Sequence, residues 1–126
     1  PLLVGGRSAG ARVACRTAAD TKPVAIVCLA FPLHLPGRPE KSRVAELLLP
    51  TAPRLVLQGS KDSFGSAEEI RVAIGDTEGI SIVELPSADH GYRIAKSSAF
   101  TPADLRTTLV AEVSRFIGAA AGISTS

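Results

Sequence analysis

Ser8 stands at the centre of Gly6-Arg7-Ser8-Ala9-Gly10, directly after the apolar run Leu2-Leu3-Val4 and directly before an Ala/Arg/Val/Ala stretch of helical propensity. The pattern reads as strand, sharp turn, helix, with G-x-S-x-G at the turn. A serine hydroxyl is a poor nucleophile at neutral pH and must be presented to a general base at the tip of a tight turn. Such a turn strains the serine backbone and brings strand and helix close together, so side chains two residues to either side are expected to clash, hence Gly6 and Gly10. The amide of Ala9, free in the first helical turn, would face an oxyanion formed on a carbonyl attacked by Ser8, and the helix dipole adds to it. Two other readings compete. Ser8 could be only an N-cap, or the glycines could form a dinucleotide-binding turn. The second needs G-x-G-x-x-G and an acidic residue closing the next strand, but Val24 to Ala30 ends without a carboxylate.

A serine nucleophile needs a base to take its proton and a carboxylate to orient that base. Only two histidines are present. His90 lies in a glycine-containing loop after the last apolar strand, and Asp62 in the loop after the strand before it. In a parallel sheet both loops fall at the edge that also carries Ser8. The chain order is Ser8, Asp62, His90, one of several in which such a set occurs. Asp62 could instead cap its own turn, and His90 could be a solvated loop residue. Asp89 competes for the acid role, although adjacent residues rarely point their side chains at each other.

The elements that must position these residues alternate along the chain. Strands are expected at residues 2–5, 24–30, 54–58 and 80–85, and helices at 8–20, 44–49, 66–74 and 101–117. In the first helix Val13, Ala14 and Thr17 are expected to face the sheet, with Arg12, Arg16 and Asp20 outward. Ser66-Ala67-Glu68-Glu69 has the form of a capping box, and Thr101-Pro102-Ala103-Asp104 joins a cap, a first-turn proline and a third-position acid. Gly118 is expected to end the last helix, leaving residues 119–126 as a flexible tail behind a domain of residues 1–118. The continuously apolar second strand implies burial on both faces. The architecture expected is therefore α/β, a three-layer sandwich of a parallel sheet between helices.

Composition excludes several classes of function. The chain has 126 residues, 45% of them hydrophobic, enough for a real core, and a net charge of +2 with the basic residues scattered. No basic patch calls for nucleic acid, and no run approaches the roughly 20 apolar residues of a membrane span. Neither a cofactor nor a metal is called for. Cys15 and Cys28 both fall at positions expected to be buried, and reduced thiols in a cytoplasmic protein account for them most simply. A disulfide between them has no support in sequence.

Leu57-Gln58-Gly59-Ser60-Lys61-Asp62 is similar to the acid loop of the α/β-hydrolases, Asp89-His90-Gly91 to their histidine loop, and Gly6 to Gly10 to their nucleophile elbow. Together with the loop at residues 31–40, these motifs resemble the small, lidless dienelactone-hydrolase-like branch, including bacterial relatives of the KANL/Tex hydrolase-like proteins. The resemblance runs through nearly the whole chain but only through the second half of the family's fold, as a chain that opens at Pro1 inside a central strand also suggests. It implies Ser8 as nucleophile, His90 as general base and acid, Asp62 as orienting carboxylate, and the Ala9 amide as one oxyanion donor. It further implies a second oxyanion amide from an earlier part of the fold that this chain lacks. The Pro1 to Gly5 edge would then be left bare, so the chain is expected to be impaired alone and to pair with a missing half or with another copy.

Candidate substrate contacts are Arg7 beside Ser8, Phe31 and His34 in the proline-punctuated loop after the second strand, and Phe64 after Asp62. That loop could equally be an extended connector, and His34, with no acidic or metal-ligand neighbour in sequence, could be incidental. The function expected is hydrolysis of carboxylic esters or related acyl compounds through an acyl-enzyme on Ser8. A non-catalytic α/β-hydrolase-like interaction module and an acyltransferase using the same residues are the alternatives.

Overall fold

The computed structural model describes residues 2–122. Four strands, β1 (Leu3–Arg7), β2 (Ala25–Leu29), β3 (Arg54–Gly59) and β4 (Ile80–Leu85), form one parallel sheet in chain order. Gly6 lies opposite Cys28 in the β1–β2 register, and Gly59 opposite Leu85 in the β3–β4 register. The helices are α1 (Ala9–Arg16), α2 (Ala18–Thr21), α3 (Val44–Leu48), α4 (Ala67–Ile74) and α5 (Pro102–Ala121). Each parallel pair needs a crossover; α1 to α4 supply these on one face and α5, after the last strand, covers the other, giving the three layers expected.

Two cores result. On one face α1, α3 and α4, the last through Ile70, close over Ile26, Cys28 and Val56, and on the other α5 covers Leu55, Leu57 and Leu85. Every residue of β3 is buried, as a strand covered on both faces must be. Strand β1 is an edge strand, and Leu2 and Leu3 are 49% and 37% exposed. Pro1 lies outside the described residues.

Four expectations are corrected. The face α1 turns to the sheet keeps Ala14 as expected but pairs it with Ala11 and Cys15, continued by Ala18, and not with Val13, 45% exposed, or Thr17, also exposed. Residues this small let the helix settle close on β1 and β2. Arg12 makes a two-nitrogen contact with Glu46 of α3, at 2.7 and 3.1 Å to Oε1, and so is not simply outward. The stretch expected as one helix over 8–20 is broken at Thr17 into α1 and α2. Gly118 does not end α5. It is buried inside a helix that runs on through alanines of high helical propensity to Ala121 and stops at Gly122, in the left-handed conformation at φ 71°. Residues 123–126, the rest of the expected tail, lie outside the described residues.

Both capping boxes form. The Ser66 hydroxyl accepts from the Glu69 amide and the Thr101 hydroxyl from the Asp104 amide, while each acid reaches back to the amide of its cap.

Candidate active site

Ser8 occupies the turn between β1 and α1 with φ 54° and ψ −119°, a conformation that costs a non-glycine residue about 1–3 kcal/mol. The surroundings hold it there. Its amide donates to the carbonyl of Leu29 at 2.9 Å, and its own carbonyl accepts from Ala11 at 2.9 Å. Gly6 is obligatory: a Cβ there would lie 2.3 Å from the carbonyl carbon of Gly10 and 2.7 Å from the amide of Ala11. The same argument fails at Gly10, where an added Cβ would meet nothing within 4 Å. The helix backbone at Gly10, and not a side chain there, is what crowds the turn. Ala9 is the first residue of α1, as its assigned oxyanion role needs.

The acid and histidine loops meet at the same edge of the sheet and are laced together. Lys61 donates its amide to the carbonyl of Ala88 at 3.0 Å, and Ser87 donates to the Ser60 hydroxyl at 2.8 Å. Gly59 is needed where they cross, because a Cβ on it would come within 2.1 Å of the Ala88 carbonyl oxygen. Tyr92 anchors the far side, its hydroxyl donating to the Leu57 carbonyl at 2.6 Å.

Ser8, His90 and Asp62 thereby form a continuous hydrogen-bonded line. The Ser8 hydroxyl donates to His90 Nε2 at 2.8 Å, and His90 Nδ1 donates to Asp62 Oδ2 at 2.9 Å and Oδ1 at 3.0 Å. Asp62 also caps its turn, accepting the Phe64 amide at 2.8 Å. Asp62 thus bonds His90 and caps its own turn at once. Its side chain is fully buried, and this burial pushes the carboxyl above the ordinary carboxylate value, against the bonds from His90 and Phe64. Asp89 is excluded from the acid position because its Oδ1 accepts the amides of Gly91 and Arg93 within its own loop.

The four candidate substrate contacts separate. Phe64 adjoins the line, its ring stacked on the imidazole of His90 at 4.1 Å. Arg7 is exposed beside the histidine loop, its guanidinium 5.7 Å from the centre of the Tyr92 ring. Phe31 is a correction: it is wholly buried in the core, where its ring presents no surface to a substrate. His34 is not incidental, and its amide donates to the Phe64 carbonyl at 2.9 Å. It is buried against α4, with Nε2 donating to Glu69 Oε2 at 2.6 Å and Nδ1 at 2.8 Å from the Leu35 carbonyl. The loop that holds them is thus a pinned connector, buried from Phe31 to His34.

Gln58 was missed. Wholly buried at the end of β3, its amide group accepts from the Phe31 amide at 2.9 Å, donates to the carbonyls of Phe31 and Gly65 at 2.8 and 2.7 Å, and lies 3.3 Å from Asp62 Oδ2. It braces the acid loop from beneath. A lone amide directly after the apolar run Leu55-Val56-Leu57 is the available signal, since a buried polar group must find partners.

A strained serine at a strand-to-helix turn, bonded to an imidazole that is oriented by a buried carboxylate, on a parallel sheet between helices, defines the α/β serine-hydrolase type of domain. The sequence matches the family described as Alpha/beta hydrolase domain over residues 1–118, and the chain belongs to that family. A lidless serine hydrolase from Xanthomonas campestris is similar at 25% identity and a TM-score of 0.62, over 91% of this chain and 47% of that one. A serine hydrolase homologue from Coxiella burnetii is similar at 20% identity and 0.61, over 88% and 48%, and the esterase domain of a Rhodothermus marinus protein at 15% and 0.59, over 91% and 61%. The last two likenesses show the fold alone. The chain spans about half the length of the first two. Comparison with curated proteins finds no significant match. Among the described residues no helix is long and apolar enough to cross a membrane.

Proposed function

We propose that this chain carries the catalytic residues of a serine hydrolase acting on carboxylic esters or related acyl compounds. The observation that carries the reading is the line from Ser8 Oγ to His90 Nε2 at 2.8 Å and from His90 Nδ1 to Asp62 at 2.9 Å. In this reading His90 takes the hydroxyl proton as Ser8 attacks the acyl carbon, then gives it to the leaving alkoxide. Asp62 keeps the ring in the tautomer that leaves Nε2 free, and stabilises the imidazolium. The Ala9 amide, at the positive end of α1, donates to the oxyanion. Water, activated by the same histidine, releases the acyl group. Arg7 and Phe64, beside the histidine loop, are the surfaces assigned to substrate. A cytoplasmic setting belongs to the same reading and rests on the two free thiols.

The same reading assigns the second oxyanion amide, and the neighbour of β1, to a preceding half of the fold or to another copy. Exposed Leu2 and Leu3 on the edge strand support it. Fluorophosphonate labelling tests the enzyme itself. An adduct on Ser8, lost in Ser8→Ala and in His90→Ala, is expected. A folded chain whose Ser8 never reacts, alone or extended to the length of its relatives, would leave the non-catalytic interaction module standing instead.

A further inference from the structure

Cys15, in the last turn of α1, and Cys28, next to the last residue of β2, face each other with their sulfurs 3.8 Å apart, and both are free and buried. A disulfide needs about 2.0 Å, so closure asks for a shift of under about 2 Å shared between two side chains and one short helix. Their surroundings are not those of two inert apolar thiols. Arg54, 3% exposed, is an internal cation whose guanidinium bonds go to the carbonyls of Ala52 and Leu47, at 2.9 and 2.8 Å. Among the described residues it has no carboxylate within ion-pair distance. An unpaired buried cation favours any anion that forms beside it. A cavity of about 320 Å³ opens at the amino edge of the sheet, opposite Ser8, and Cys15 is part of its wall together with Arg16, Lys22, Pro23 and Pro50.

We propose that Cys15 and Cys28 are a peroxide-oxidisable dithiol that closes to a disulfide in the folded protein, Cys15 being the attacking thiolate and the cavity the oxidant's way in. The two sulfurs are not equivalent. Cys15 lines the cavity and Cys28 does not. The contact with Cys28 favours the Cys15 thiolate, with help from Arg54 and against burial and Glu46, while the same contact and burial push Cys28 up. The Cys15 thiolate attacks one oxygen of the peroxide: a sulfur–oxygen bond forms, the oxygen–oxygen bond breaks, and the departing alkoxide or hydroxide takes a proton from water. Cys28 then attacks the sulfenic sulfur, the sulfur–sulfur bond forms, and hydroxide leaves with the Cys28 proton as water. The two thiols lose two electrons and the peroxide gains them. The crosslink would tie α1, which starts at the serine turn, to the strand whose Leu29 carbonyl receives the Ser8 amide. None of this depends on Ser8 being catalytic.

The test is peroxide titration of the native chain, read by alkylation of remaining thiols and intact mass. Wild type is expected to lose both thiols together, with a loss of two hydrogens, no dimer, and full recovery with dithiothreitol. In Cys28→Ser, dimedone should trap a sulfenic acid on Cys15, with about tenfold less adduct on Cys28 in Cys15→Ser. Circular dichroism checks that both variants fold, and the wild-type mass result stands without them. Thiols that survive peroxide in the native chain and pair only in urea overturn the proposal, as does equal trapping on the two cysteines.

Discussion

The ring of Phe64 lies on the imidazole of His90, centroids 4.1 Å apart and planes inclined by 29°, while the amide of Phe64 holds Asp62 at 2.8 Å. One residue thus fixes the histidine through its side chain and the acid through its backbone. Phe64→Ala removes the first without the second. Stacking of this kind is worth about 0.5–1.5 kcal/mol, so the rate of Ser8 labelling by a fluorophosphonate should fall up to about tenfold while the fold persists. Labelling unchanged in a properly folded variant would show that the loops alone fix His90.

Gly6 and Gly10 flank Ser8 symmetrically in sequence and asymmetrically in space. Gly6→Ala drives a methyl group into the backbone of Gly10 and Ala11, contacts of 2.3 to 2.7 Å that no rotamer relieves, and should cost about 3 kcal/mol or more. Gly10→Ala meets open space and replaces a helical glycine, so a gain of up to about 1 kcal/mol is expected. Urea unfolding of the two variants measures both, and similar losses would refute the asymmetry.

The His34–Glu69 pair makes stability depend on pH in a definite window. Glu69 is held below its ordinary 4.5, chiefly by the bond from His34, so its contribution is present above pH 4.5 and lost as pH falls through the depressed value. Burial works against a charge on His34. The Glu69 carboxylate and the Leu35 carbonyl outweigh it and raise the imidazole above its ordinary 6.5, so its contribution is full below pH 6.5 and lost as pH rises through the raised value. The pair is therefore strongest between pH 4.5 and 6.5. With Glu69 45% exposed, its worth stays below about 1 kcal/mol. Glu69→Gln, which can still serve the capping box, should destabilise the chain most in that window and least at pH 8. A pH-independent difference would mean that His34 does not charge.

Leu3 projects from the edge strand β1. An open apolar edge recruits a further strand, and lysine is a common guard against it. Sedimentation of this chain should show concentration-dependent self-association, reduced in Leu3→Lys. A wild-type monomer at every concentration would mean that β1 needs no neighbour.

Most of the layered architecture could be read from the chain. Strand β4 lies at the residues its apolar run marks out, and both capping boxes form where Ser66/Glu69 and Thr101/Asp104 announce them. These are local signals, set by hydrogen bonds three residues apart or by side-chain alternation. Element ends were less legible. Thr17 breaks the first helix, and Gly118, followed by alanines, fails to end the last, because the propensity of any single residue is modest.

For the site, the order and types of Ser8, Asp62 and His90 were fixed by sequence alone, since each follows its own strand and parallel strands deliver their following loops to one edge. Which other residues join them was decided only by the fold. His34 and Phe31 lie in one loop that looked ready to line a site, yet Phe31 sinks into the core and His34 turns to Glu69, 35 residues away along the chain. Gln58 beneath Asp62, Phe64 over His90, and the facing sulfurs of Cys15 and Cys28 are likewise products of tertiary contact. A chain records which groups it carries and how strands must alternate with helices. The directions side chains take at a crossing of two loops, or between a helix and a strand, depend on close packing among segments distant in sequence.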